Sequence, residues 1–385
     1  MNSSLARALN KSMRLYVSPL GSTQHHVFKM STNIFKSQTK EKETFLDLLP
    51  TITESIAKNP KFDVVPSVGD WVKKMLEYNL NGGKKSRGLS TVYSYEMIEN
   101  PENITEEALH KARIMGWCVE MLQAYLVVLD DMMDGSTTRR GVPCWYRLPE
   151  VGLGAINDSI LIYMAIFQTI KMHFSDKNSY LDILELFNET LLNTSIGQHL
   201  DYTMAHRTKN NYDLFTLERY NAIIKFKTSY YTYKLPVCLG LYLANKVDKE
   251  IHKVAEDILI DIGQFFQIQD DFIDCFSDEI LTGKMGTDIQ EGKCTWLAVT
   301  ALQRCNAEQR AEFEMCYASK DLADVQRIKR LYEKLEIPQA YKEYERNTYE
   351  RILHQANNMP ATASGDRLSP ALILRLLDMI YKRKH

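Results

Sequence analysis

From about residue 43 to the C-terminus, apolar residues recur three and four positions apart, the period of amphipathic helices. ETFLDLLPTITESIAK and VGDWVKKMLEYNL open the series. LQAYLVVLDDMMDG, LDILELFNETLLNTSIGQHLDYTMAH, KFKTSYYTYKLPVCLGL and GQFFQIQDDFID continue it. LADVQRIKRLYEKLEIPQAYKEYERNTYERILHQA alternates charges at helical spacing, as an exposed-face bundle does, and a last helix runs into the basic tail YKRKH. No β-alternation of any length appears, so the pattern predicts an all-α fold. Pro236 predicts a kink or break in its helix, with a freed carbonyl nearby. No apolar run reaches the roughly 18 residues that a membrane span requires.

Two of these helices end in acids. In the first, Gln123, Leu126, Asp130 and Asp134 share one stripe, with Asp131 beside it. About 140 residues later Asp270, Asp271 and Asp274 repeat the spacing, with Phe266 and Gln267 one turn before Asp270. A solvated acidic face is the common explanation for one such cluster, but here both clusters sit on apolar lanes. Carboxylates so placed suit Mg²⁺, which is held by one or two carboxylates while substrate phosphates complete its shell. Arg139 and Arg140 follow at once and suit bidentate contact with phosphate. Facing each other, the two clusters would cage several divalent ions around a diphosphate.

Other candidates lie between and beyond these motifs. NGGKKSRG joins Gly82 and Gly83 to Lys84, Lys85 and Arg87, a turn that suits a diphosphate as readily as it suits solvent. It lacks the spacing of a Walker A loop, and the GLG at Gly152 and Gly154 lacks the third glycine and preceding strand of a dinucleotide site. Gln198 and Asp201 interrupt an apolar pattern, either facing a cavity or bonding each other in the core. Lys227, Thr228 and Tyr231 share one side of the helix that contains Pro236. LTGKMGTDIQEGKCTWL, with Lys284 and Lys293 among three glycines, reads as a mobile basic loop able to close over anions.

Composition adds limits. The 385 residues are 45% hydrophobic, ample for one large α domain, and a formal charge of -2 gives no nucleic-acid footprint. The seven Cys are scattered with no CxxC pair, which argues against a zinc site or disulfide framework and fits a reducing compartment. Residues 1–42 form a separate basic extension in which no acid precedes Glu41. That composition suits a mitochondrial transit peptide, or otherwise the tail of a cytoplasmic protein.

The motifs, in this order, resemble the trans-isoprenyl diphosphate synthases, most closely the farnesyl-forming branch, over residues 43–385. The resemblance implies about ten core helices around a central cavity, in a homodimer. It implies three Mg²⁺ held by carboxylates drawn from Asp130, Asp131, Asp134, Asp201, Asp270, Asp271 and Asp274. Arg139, Lys227 and Lys284 would contact the allylic diphosphate, with Lys293 as the lysine of the closing loop. Lys84, Arg87, Gln123 and Arg140 match the isopentenyl diphosphate site, and Thr228, Tyr231 and Gln267 match positions beside a developing carbocation. The implied reaction joins isopentenyl diphosphate to dimethylallyl and then geranyl diphosphate by ionisation, condensation and elimination.

Two departures stand out. Tyr125 is followed by Leu126 where farnesyl-forming members commonly carry two aromatics, and the loop reads Gln290-Glu291-Gly292-Lys293 where Asp-Asn-Lys is usual. Leu126 lies one turn, about 6 Å, below Asp130 on the same face. Tyr125 is turned roughly 140° from it and closes the lane from one side only. Farnesyl diphosphate is therefore the expected product, with tolerance for bulkier substrates. A terpene synthase would need the acidic motifs without the isopentenyl site, and a noncatalytic subunit would be expected to have lost one acidic cluster.

Overall fold

The computed structural model describes residues 39–62, 65–208, 210–277, 286–363 and 365–381. It comprises two units, one ending at Asp47 and one running from Leu48. Residues 39–47 of the first are helical, with Thr44 Oγ1 donating to Lys40 O at 3.0 Å. The transit-peptide reading falls mainly on residues outside those described, as do Lys284 and the basic tail from Lys382.

The second unit is helical throughout, as the 3.6-residue period predicts. Its helices are α1 (Leu49–Ala57), α2 (Pro66–Leu80), α3 (Ser86–Ile98), α4 (Glu106–Asp134), α5 (Ala155–Phe174), α6 (Tyr180–Tyr202), α7 (Leu217–Ile224) and α8 (Leu235–Leu243). They continue as α9 (Lys249–Phe276), α10 (Asp288–Glu291), α11 (Trp296–Arg304), α12 (Ala307–Cys316), α13 (Leu322–Lys334), α14 (Ile337–Asn357) and α15 (Pro370–Tyr381). Strand structure among the described residues is one minimal hairpin. Its strands, β1 (Thr138–Arg139) and β2 (Val142–Pro143), pair antiparallel with Arg139 opposite Val142.

The two acidic motifs sit at the ends of the two longest helices. α4 starts where the Thr105 side chain accepts from Ala108 N and stops at Gly135, whose φ of 68° an L side chain would resist. Its 29 residues span about 43 Å. α9 starts on a cap in which Asp248 accepts from Glu250 N at 2.8 Å. One core cluster, around Phe313, Leu331, Tyr332 and Tyr341, backs the C-terminal end of α9. Another, around Val237, Leu259, Phe265 and Leu376, joins its middle to α8 and α15.

Between α7 and α8 the chain winds as a π-helix, Lys225–Lys234, which packs against α6 and α9. Glycine on each neighbour permits the approach. A Cβ on Gly197 of α6 would lie 2.0 Å from Lys227 N, and one on Gly263 of α9 would lie 2.5 Å from Ser229 Cα. Pro236 therefore causes no break: it falls in the first turn of α8, where its missing N–H is tolerated, and winding passes directly from π to α.

Run length alone had suggested that no segment could cross a membrane. Among the described residues, however, Glu106–Asp134 and Gly152–Phe174 are long and apolar enough by length and composition. Of the first window 72% is buried inside the fold, as a central core helix should be, and of the second 44%. Averaged hydropathy passes over isolated polar residues such as Glu120 that interrupt a run, and here Glu120 is itself buried and accepts from Gly88 N.

Candidate active site

The C-terminal ends of α4 and α9 face a cavity of about 1120 Å³ lined by Asp130, Asp134, Asp201, Asp270, Asp271 and Asp274. Gln198 and Asp201 of α6 face it too, and they bond across it rather than to each other. Lys227, projected by the π-helix, lies 3.1 Å from Asp130 Oδ1 and 2.6 Å from Asp201 Oδ2. Lys293 lies 3.0 Å from the same Asp201 oxygen and 2.8 Å from Asp134 Oδ2. The charges thus alternate in one line: Asp130, Lys227, Asp201, Lys293, Asp134.

Each group's protonation follows from its neighbours. Burial pushes the Asp201 carboxyl up, but Lys227 and Lys293 outweigh it and hold the group well below the usual carboxylate range. Asp130 is lowered for the same reason. Asp134 is raised, because burial outweighs Lys293 there. Burial opposes the charge of Lys227, yet Asp130 and Asp201 raise it above the ordinary ammonium value. Asp130, Asp201 and Lys227 are thus each shifted towards the charged form, and Asp134 towards the neutral one.

The middle Asp of each motif does something different from its neighbours. Asp131 is buried and lies outside this lining; its Oδ1 accepts from Arg139 Nε at 3.0 Å and Nη2 at 2.5 Å. Asp271 accepts from Tyr220 OH at 2.7 Å and Trp296 N at 2.9 Å on one oxygen, and from Gln267 Nε2 at 3.0 Å on the other. Burial raises Asp271 to about 6. These hydrogen bonds set Gln267 with its carbonyl outward, where it accepts from Thr228 Oγ1 at 2.8 Å. Asp274 accepts from Asp288 N at 3.2 Å, which ties α9 to the loop that carries Lys293.

Lys84, Arg87, Gln123, Arg139 and Arg140 meet around an adjoining pocket of about 270 Å³. Arg87 donates to Tyr231 OH at 2.9 Å and Thr232 Oγ1 at 3.1 Å, and its guanidinium lies 4.6 Å over the Tyr231 ring. Arg140 donates to Asn81 O at 2.9 Å and Asn79 O at 3.3 Å. Lys85 has a separate task from Lys84. It is 3% exposed, donates to Leu80 O and lies 3.9 Å from Glu120, pinning the glycine turn from beneath.

Tyr125 and Leu126 both line the main cavity. The Tyr125 ring lies 5.1 Å from Tyr163 of α5, which lies 4.9 Å from Phe167 and donates to Asn188 Oδ1 at 3.0 Å. Sequence reasoning missed Tyr163 because a ring on an apolar helix gives no sign that it packs behind Tyr125 of another helix. It also missed Tyr220, whose role depends on Asp271, 51 positions away.

Magnesium suits this donor set. Hard oxygen ligands predominate, and Asp134 Oδ1 is buried with no hydrogen-bond partner while its other oxygen is taken by Lys293. Tight clusters of three His, Cys, Asp or Glu side chains do not occur among the described residues, because lysines separate the carboxylates.

The sequence profile of the family described as polyprenyl synthetase matches residues 69–335. The chain belongs to that family. Its relatives include farnesyl pyrophosphate synthase of Murgantia histrionica, 43% identical over 345 residues, covering 89% of this chain and 82% of the relative. The Bos taurus enzyme of the same name is 42% identical, covering 83% and 90%. Farnesyl pyrophosphate synthase 1, mitochondrial, of Arabidopsis thaliana is 36% identical over 380 residues, covering 99% and 97%. Among solved structures, T. brucei farnesyl diphosphate synthase complexed with risedronate superposes with a TM-score of 0.82 at 34% identity, covering 90% of this chain and all of that one. The polyprenyl synthetase fold is the all-α bundle that the helical period predicts.

Asp201 is buried and is the shared acceptor of Lys227 and Lys293, so Asp201→Asn should destabilise the fold by about 3 kcal/mol in urea unfolding at neutral pH. Its carboxyl is depressed in the folded state, so its contribution is complete above pH ~4 and fades as pH falls towards the folded value. The gap between wild type and variant should therefore narrow in acid. A pH-independent gap would assign the loss to packing.

Proposed function

We propose that the chain condenses isopentenyl diphosphate with dimethylallyl and then geranyl diphosphate to give farnesyl diphosphate. The observation that carries this reading is the juxtaposition of two anion sites on one apolar lane. One is walled by the acidic helix ends with Lys227 and Lys293, and the other by Lys84, Arg87 and Arg140. A terpene synthase has no use for the second, and a noncatalytic subunit has no need of both acidic ends.

The family typically uses magnesium. We assign three ions to Asp130, Asp134, Asp270 and Asp274, with Asp131 holding Arg139 and Asp271 holding Gln267 beside them. When bound, magnesium supplies positive charge to the departing diphosphate. Arg139, Lys227 and Lys293 add fixed cations beside it, in a site where burial strengthens each interaction. As the C1–O bond of the allylic substrate breaks, its electron pair leaves with diphosphate. The Gln267 carbonyl, Thr228 hydroxyl and Tyr231 ring then face the allylic cation. Lys84, Arg87, Gln123 and Arg140 hold isopentenyl diphosphate so that its double bond attacks C1. The proton that is lost afterwards goes to the released diphosphate, and no protein nucleophile is used.

Exposed apolar residues support a homodimer. Leu153, Ile156, Ile160 and Met164, at 77%, 50%, 51% and 43% exposure, form a stripe along and just before α5, and Leu192 and Ile196 of α6 are exposed as well. A stripe of this kind marks an interaction surface. Ile160→Glu should shift the sedimentation coefficient from dimer to monomer; an unchanged coefficient would place any interface elsewhere.

Chromatography of products from dimethylallyl, geranyl and farnesyl diphosphate, each with isopentenyl diphosphate, tests the reaction directly. The first two should converge on farnesyl diphosphate. Asp130→Ala or Asp270→Ala should lower turnover by at least about a thousandfold, and Asp130→Ala, which takes from Lys227 one of its two carboxylate partners, should also lower the thermal midpoint. Products formed without isopentenyl diphosphate would support the terpene synthase reading instead.

Tail length should respond to the two residues below Asp130. Tyr125→Ala opens the lane towards Tyr163 and should lengthen the product, while Leu126→Phe should exclude extra-methyl allylic substrates that the wild type accepts. Unchanged product lengths and substrate range in both variants would place the floor of the cavity elsewhere.

A further inference from the structure

Arg139 and Arg140 are consecutive, yet the structure anchors them to different bodies. Arg139 is held by two hydrogen bonds to Asp131 of α4. Arg140 is held by the backbone at the end of α2, on Asn79 O and Asn81 O, with its guanidinium against the Gly82–Gly83 turn that leads to Lys84. Its φ of 54° lies in the left-handed region, so the backbone there is held against its own preference. The position of Arg140 thus depends on how the hairpin is fastened to α2, and that of Arg139 does not.

The fastening is a buried carboxylate outside both substrate sites. Asp158, in the first turn of α5, is 4% exposed. Its Oδ1 accepts from Trp71 Nε1 of α2 at 2.9 Å, and its Oδ2 accepts from Trp145 Nε1, just beyond β2, also at 2.9 Å. The two indoles lie 5.7 Å apart, and Tyr78 of α2 packs 5.1 Å from Trp145 while donating to Pro143 O at 2.8 Å. A buried charge is costly, and neutral donors compensate it only in part. What it gains is geometry: one rigid carboxylate fixes two ring planes, and through them the base of the hairpin, relative to α2. The N-terminal turn of α5 favours the negative charge.

We propose that Asp158 is a positioning residue for the second diphosphate, acting through Trp71 and Trp145 to hold Arg140 and the glycine turn in register. The proposal rests on the condensation reading for the identity of that diphosphate. Asp158→Asn leaves one acceptor oxygen and turns an amide N–H₂ against an indole N–H, so one of the two bonds is lost. Trp145→Phe keeps a ring in place and removes only the donor.

Steady-state kinetics of Asp158→Asn, Trp145→Phe and the double variant with geranyl and isopentenyl diphosphate test this. Each single variant should raise the KM for isopentenyl diphosphate about tenfold while kcat and the KM for geranyl diphosphate stay within about twofold. The double variant should be no worse than the worse single, because both break one joint. Equal shifts in both KM values, a fall in kcat alone, additive effects, or no change would overturn the proposal. Calorimetric titration with isopentenyl diphosphate reads the same loss of affinity without turnover. A wild type that binds but does not condense would therefore count against the reaction and still decide the joint. Should Asp158→Asn fail to fold, Trp145→Phe alone carries the comparison.

Discussion

The alternating line of charge from Asp130 through Lys227, Asp201 and Lys293 to Asp134, buried at its centre, is the constraint on which the site depends. Its members come from α4, the π-helix, α6 and the loop after α10, so each element is held at the cavity by a charge supplied from another. Several carboxylates could not be buried together without such compensation, since each ion out of water costs several kcal/mol even after relaxation. The same lysines that make the acids tolerable stand where an anionic substrate would meet them. On the proposed reaction, folding and phosphate recognition would draw on one set of side chains.

A division of labour repeats at both helix ends. Asp130 and Asp270 line the cavity, while Asp131 and Asp271 bond to Arg139 and to Tyr220, Trp296 and Gln267. Adjacent residues on a helix point about 100° apart, so Asp131 turns out of the cavity lining towards the hairpin, while Asp271 stays at the cavity wall with both oxygens taken by Tyr220, Trp296 and Gln267. The second carboxylate of each motif thereby fixes a polar side chain at the cavity wall, Arg139 in one case and Gln267 in the other.

Much of this could be read from the chain because helical periodicity is local. The stripe of Gln123, Leu126, Asp130 and Asp134 needed only i, i+3 and i+4 spacing, and the recurrence at Asp270 suggested that two such ends face each other. Lys85 shows where that reading stops: it has the same composition as Lys84 beside it, yet a backbone φ of 53° turns it under the loop onto Leu80 and Glu120. Tyr163 and Asp158 were silent because their significance lies in partners 38 and 13 or more positions away, Tyr125, Trp145 and Trp71. The two apolar helices also misled in one respect, since run length and mean hydropathy weigh interruptions such as Glu120 differently.

The π winding of Lys225–Lys234 has a consequence for how this region tolerates insertions and deletions. Bonds from i to i+5 hold nearly one more residue per turn than an α-helix does, so the segment is an α-helix with residues added. Gly197 and Gly263 press on it from two sides, which prevents the surplus from sliding along the chain. Removing a single residue would let the segment relax to α geometry, a locally more stable form, while rotating Lys227 and Thr228 by about a quarter turn relative to Tyr231 and α8. The bundle would survive such a change and the site would not. A stretch of sequence that looks like an ordinary helix thus has its length, and not only its residues, fixed by the neighbours packed against it.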